Sequence, residues 1–73
     1  MMAMEFTAVE STQISQIGYD EETLEAQVEF SNGSVYRYTG VPKDVIDGII
    51  NAGSPGRAFN ATLKWGYSYQ KVS

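Results

Sequence analysis

An α+β fold is predicted: a small antiparallel meander of three to four strands, followed by two short helices packed on one of its faces. Three observations carry it. Leu24, Ala26, Val28 and Phe30 alternate with Glu25, Gln27 and Glu29, the period of a half-buried strand. Asn32-Gly33 follows at once, a strong hairpin signal. Beyond Val41-Pro42 the period changes, and Val45, Ile46, Ile49 and Ile50 recur at helical spacing.

In chain order, Phe6 to Val9 is a candidate first strand and Ile14 to Tyr19 a second, ended by the turn-like Asp20-Glu21-Glu22-Thr23. The Leu24 to Phe30 strand comes next. Val35 to Thr39, rich in β-branched and aromatic residues, completes the hairpin. Val41-Pro42 sets an extended residue before a proline in a helix's first turn. Lys43, Asp44, Asp47 and Asn51 fall on the polar side of that helix, and Gly53 is placed to terminate it. Ser54-Pro55 then supplies an N-cap and an N1 proline for a second helix. Phe59 and Leu63 are its buried anchors, and Trp65-Gly66 closes it. One domain is expected over residues 5–69, with 1–4 and 70–73 as flexible termini; the tail could also pair with a sheet edge, in the same chain or a partner.

The hairpin decides which way the tyrosines face. A two-residue loop would pair Val28 with Arg37 and set the guanidinium under the helices. A three-residue loop, Ser31-Asn32-Gly33, pairs Phe30 with Ser34, Val28 with Tyr36 and Ala26 with Tyr38, and turns Arg37 away. Burying an unpaired guanidinium costs far more than one turn type over another. The three-residue loop is therefore expected. Tyr36 and Tyr38 join the apolar face, either as core rings with hydroxyls at its rim or as the wall of a groove where a planar ligand stacks.

Composition narrows the chemistry. The chain has 73 residues, 42% of them hydrophobic, with 5 Lys and Arg against 9 Asp and Glu for a net charge of −4, and neither Cys nor His. That removes disulfides, thiolate nucleophiles, the commonest general base and the commonest transition-metal ligand. The charge weighs against long nucleic acids, which are gripped by many Lys and Arg residues. Asp20, Glu21, Glu22, Glu25 and Glu29 fall in a turn and on a solvated strand face, not in the apolar pocket a general acid needs. No catalytic residue, metal site or cofactor is assigned. The N-terminus lacks the pattern of a signal peptide, and no run approaches the ~18 apolar residues of a membrane span. A cytoplasmic location without membrane contact is expected.

Ile17-Gly18-Tyr19-Asp20, Leu24 to Phe30, Asn32-Gly33, Tyr36-x-Tyr38, Val41-Pro42 and Ser54-x-Gly56-x-x-Phe59-Asn60 together resemble the KTSC domain. That family is named for the C-terminus of some lysyl-tRNA synthetases and also occurs alone in bacterial and phage proteins. The resemblance covers roughly residues 9–67. It departs from the family at Ala58, where an aromatic is usual, and in having only Lys64 and Lys71 as basic residues near the C-terminus. The resemblance implies a binding domain without enzymatic chemistry, and RNA binding by association with the synthetases.

Ser54, Gly56 and Arg57 are the leading candidates for phosphate binding. They offer free N–H groups, close backbone approach and a forked guanidinium at a helix start. Lys64 lies seven residues beyond Arg57 and is expected on the same side of one helix, with Asn60 near enough to read a base edge. Tyr36, Tyr38, Trp65, Tyr67 and Tyr69 are candidates for base stacking. Each has a plainer role available, as helix start, close packing, solvated charge or core.

Two classes of function follow. The first is a non-catalytic binder of a small phosphorylated nucleotide, in its most concrete form a sponge of the kind phages encode, which sequesters a cyclic di- or oligonucleotide signal of bacterial immunity. It would act in the cytoplasm, that of the host cell for a phage protein. So short a chain offers little concave surface, so the pocket is expected between subunits of a homo-oligomer. The second is an accessory module for RNA or single-stranded nucleic acid, or a protein-interaction and inhibitor domain.

Overall fold

Among the described residues, five strands form one antiparallel sheet whose order follows the chain, and short helices connect the last two strands. The computed structural model describes residues 4–73; residues 1–3, most of the expected loose N-terminus, lie outside the described residues. The elements are β1 (Glu5–Ala8), β2 (Ile14–Asp20), β3 (Glu25–Phe30), β4 (Val35–Tyr38), α1 (Lys43–Ile50), α2 (Pro55–Ala61), α3 (Leu63–Gly66) and β5 (Tyr69–Lys71). The α+β class holds, with one strand more than the sequence pattern showed.

The β3–β4 hairpin has the three-residue loop. The Phe30 N–H donates to the Ser34 carbonyl at 2.8 Å, the Gly33 N–H to the Phe30 carbonyl at 3.0 Å, and Gly33 sits at φ +94°. Val28 accordingly faces Tyr36, Ala26 faces Tyr38 and Gln27 faces Arg37. Arg37 lies on the face away from the helices, where Nη2 donates to Gln27 Oε1 at 3.5 Å. Gly33 has open space around its Cα, so Gly33→Ala tests the backbone alone. The left-handed conformation is expected to cost about 1–2 kcal/mol, read as a lower urea midpoint; an unchanged midpoint would contradict the turn geometry.

The core lies between the sheet and the helices. Ile14, Ile17, Ala26, Val28 and Tyr38 from the strands meet Val41, Ile46, Ile49, Phe59 and Leu63. A register shift between Ile14 and Gln16 lets Ile14 and Ile17 both point inward although they are three residues apart. Each large aliphatic side chain buried here contributes about 1.5–3 kcal/mol.

Three expectations are corrected. Leu24 does not begin β3: it closes the preceding turn at φ +60° and remains 41% exposed. The Asp20 carboxylate accepts the Glu22 and Thr23 N–H groups, the Leu24 N–H donates to the Asp20 carbonyl, and the Leu24 carbonyl accepts from Val41. Turn chemistry outweighs the alternation at that position. Gly53 does not terminate α1, which stops at Ile50; Asn51 caps it, donating its side-chain amide and backbone N–H to the Asp47 carbonyl.

The second helix is not continuous either. Thr62 interrupts it at φ −124° and ψ −75°, its hydroxyl donating back to the Ala58 carbonyl at 2.6 Å. Finally, of the two states expected for the C-terminal tail, loose or paired with a sheet edge, it takes the second. Tyr69, Gln70 and Lys71 pair with Tyr38, Arg37 and Tyr36. The Val72 and Ser73 N–H groups donate to the Val35 carbonyl, and the Val35 N–H donates to the Ser73 carbonyl. Otherwise β4 would present a row of unpaired backbone groups. No helix of the described residues is long and apolar enough to cross a membrane.

Candidate functional site

Where the β4 tyrosines meet α2, α3 and β5, the surface opens into a groove of about 400 Å³. Its floor follows from the hairpin register, which puts Phe30, Tyr36 and Tyr38 on the helix side. Phe59, the inward anchor of α2, stands edge-on to Phe30 at 5.4 Å and to Tyr38 at 5.8 Å. Tyr69 comes from β5 and leans over both β4 rings, 5.6 Å from Tyr38 and 5.8 Å from Tyr36. Trp65 on α3 also lines the groove, 78% exposed, with Lys64 Nζ 5.4 Å from its ring centroid.

The rim is polar and short of negative charge. Gln13, Asn32, Ser34 and Asn60 bring amides and a hydroxyl, and Lys64 is the one charged side chain of the lining. Burial, with Tyr69 and Tyr36 as lesser influences, pushes the Tyr38 hydroxyl up to about 12, so it stays a neutral donor and acceptor. Tyr36 is half-buried and Tyr38 buried, yet both line the groove. Both rings are thus part of the apolar face and of the groove lining at once.

Not every candidate residue gathers here. Tyr36, Tyr38, Asn60, Lys64, Trp65 and Tyr69 do, while Tyr67 packs against the core outside the lining. Ser54, Gly56 and Arg57 line a neighbouring groove. Arg57 and Lys64, expected on one side of one helix, lie on either side of the break at Thr62 and line different hollows. Gly56 is buried, and a Cβ there would meet Gln13 Oε1 at 2.7 Å, so the space above it is taken by a side chain of the β1–β2 connection. Phe30 and Ser34 were within reach of sequence reasoning, because the hairpin register sets them beside Tyr36. Gln13 carries no sequence signal; it arrives through the β1–β2 connection.

A family model described as the KTSC domain matches residues 10–70. The chain belongs to the KTSC domain family. A crystal structure of a KTSC domain protein from Yersinia pestis superposes with a TM-score of 0.89 at 32% identity, covering 97% of this chain and 100% of that one. An uncharacterised protein of Stutzerimonas stutzeri is 41% identical over 84% of this chain and 86% of its own length. A lysine–tRNA ligase of Nostoc punctiforme is 36% identical over 88% of this chain, which spans only 11% of that enzyme.

In this KTSC chain several residues that carried the resemblance have structural work. Gly18 lies beneath the Phe6 ring, where a Cβ would come within 2.6 Å of Cε2. The Tyr19 hydroxyl donates to the Val41 carbonyl, tying β2 to the start of α1. Asn32 accepts the Ser34 N–H within the hairpin loop at 2.9 Å. The KTSC residues that reach the groove are Phe30, Asn32, Tyr36, Tyr38, Phe59 and Asn60.

Proposed function

We propose that this chain is a non-catalytic nucleotide-binding protein whose ligand lays a base in the aromatic groove and a phosphate at Lys64. The observation that carries this reading is the lining itself: six aromatic rings, a rim of amides and a hydroxyl, and a single cation with no carboxylate, on a chain of net charge −4. Such a hollow favours a flat, anionic ligand. Stacking on a ring of this kind contributes about 1–3 kcal/mol per base, and Asn60 and Gln13 can read a base edge. Sequestration of a small phosphorylated signal, such as a cyclic di- or oligonucleotide, is the form of this activity that requires affinity and abundance without chemistry. A homo-oligomer would deepen the groove by covering the open side of Trp65. A second reading, binding of single-stranded RNA, is favoured by the related segment in the Nostoc punctiforme lysine–tRNA ligase.

Trp65 is the sole tryptophan, so its fluorescence reports the groove directly. Titration with mononucleotides, cyclic dinucleotides and short RNA is expected to give saturable quenching, a rise in melting temperature and recovery of unchanged ligand after denaturation. Trp65→Ala should weaken binding about ten- to hundred-fold, the equivalent of the stacking energy. Absence of heat and quenching with every member of the panel at millimolar concentration would rule the reading out.

A further inference from the structure

Beside the aromatic groove lies a second one of about 420 Å³ with a different chemistry. No ring lines it. Its groups are the hydroxyls of Ser11, Thr12 and Ser54, the Arg57 guanidinium and the Glu10 carboxylate. Gln13 and Asn60 line both grooves and form the saddle between them. The saddle is held in place: the Gln13 carbonyl accepts the Ser31 N–H at 2.8 Å, its N–H donates to Ser11 Oγ at 3.1 Å, and its side chain rests on Gly56.

Resting on the nucleotide reading above, we propose that the ligand is a phosphodiester-linked pair of nucleotides laid across both grooves. The first base stacks between Trp65 and the tyrosines. The linkage crosses the saddle, where the Gln13 and Asn60 amides donate to its oxygens. The second nucleotide's sugar occupies the polar groove, where Arg57 reaches the same linkage phosphate from the far side of the saddle and the Glu10 carboxylate accepts from a ribose hydroxyl. Each groove has a volume within the range that holds one small ligand, and each supplies one basic side chain, Lys64 for the 5′-phosphate and Arg57 for the linkage. A mononucleotide fills only the first. Arg57 and Lys64 thereby serve one ligand from two hollows, on either side of the break at Thr62.

The test uses the whole chain and two series of probes: the four 5′-mononucleotides, and the linear diribonucleotides carrying a 5′-phosphate, followed by Trp65 quenching and calorimetry. The dinucleotide is expected to bind at least ten-fold more tightly than its mononucleotide. Arg57→Ala should bring it down to the mononucleotide level while leaving mononucleotide affinity unchanged; Trp65→Ala should weaken both. Gly56→Ala, which pushes Gln13 off the saddle, should reduce dinucleotide affinity selectively. A hexanucleotide RNA bound as tightly as the dinucleotide supports the same contact made by a strand segment, and a dinucleotide bound alone supports it for a free ligand. Equal affinity for one and two nucleotides, or an Arg57→Ala variant that affects both or neither, overturns this inference and leaves the groove reading intact. Failure of every nucleotide to bind overturns the groove reading itself, and this inference with it.

Discussion

Phe59→Ala is expected to cost about 3–5 kcal/mol of folding free energy. Domains of this size have a total stability of roughly 0.05–0.15 kcal/mol per residue, so the variant would lose a large fraction of what holds the chain together. Phe59 is 5% exposed and stands edge-on to Phe30 and Tyr38, the contact that joins the helix layer to the hairpin. Its removal leaves a cavity bounded by strands on one side and short helices on the other, neither free to collapse far. Urea unfolding reads the loss as a lower midpoint at an unchanged slope. Phe59→Leu, which keeps most of the volume, is the control and should cost less than about 1.5 kcal/mol. A Phe59→Ala midpoint corresponding to under 1 kcal/mol would show that the helices close on the sheet without this ring.

The hairpin was legible in the sequence because one residue made the alternatives unequal. Arg37 cannot sit under the helices unpaired, so the register, the inward tyrosines and most of the groove floor followed from it. Elsewhere periodicity yields to hydrogen bonding, local at Leu24 and Thr62 and long-range at the C-terminus. Leu24 continued the alternation but closes the turn before β3, because Asp20 organises that turn through its side chain and carbonyl. Tyr69 to Lys71 show no period of their own; they become β5 because β4 offers them backbone partners. Thr62 falls inside the helix that the sequence pattern runs from Pro55 to Gly66, yet its hydroxyl bonds back to Ala58 where the helix divides. That break separates Arg57 from Lys64, and no helical-wheel argument could have found the two grooves. The saddle at Gln13 was hidden for a different reason. It depends on the path of the β1–β2 connection over Gly56.

Alkaline pH is expected to unfold this protein earlier than its acidic composition alone would suggest, and Tyr38 is the main reason. Its hydroxyl is raised from 10.0 to about 12, chiefly by burial, then by the neighbouring Tyr69 and Tyr36, whose ionised forms would repel a second phenolate. In the unfolded chain the same group titrates near its ordinary value. Between pH 10 and pH 12 the unfolded state therefore binds fewer protons than the folded one, and stability falls as pH rises. It is fully present below about pH 10 and lost progressively toward about pH 12, a change of order 2–3 kcal/mol. Tyr19, also raised, mainly by burial, and hydrogen-bonded to Val41, contributes in the same direction. So does the exposed Lys43, whose raised value comes mainly from its hydrogen bond to Asp47. Urea midpoints measured from pH 7 to pH 12 should be flat below about pH 10 and then decline. Tyr38→Phe keeps the ring and removes the titrating group, so it should abolish most of that decline and leave the smaller part due to Tyr19 and Lys43. A wild-type midpoint constant through pH 12, or a Tyr38→Phe variant that declines as steeply as the wild type, would mean that the hydroxyl reaches enough water in the groove to ionise without unfolding the chain.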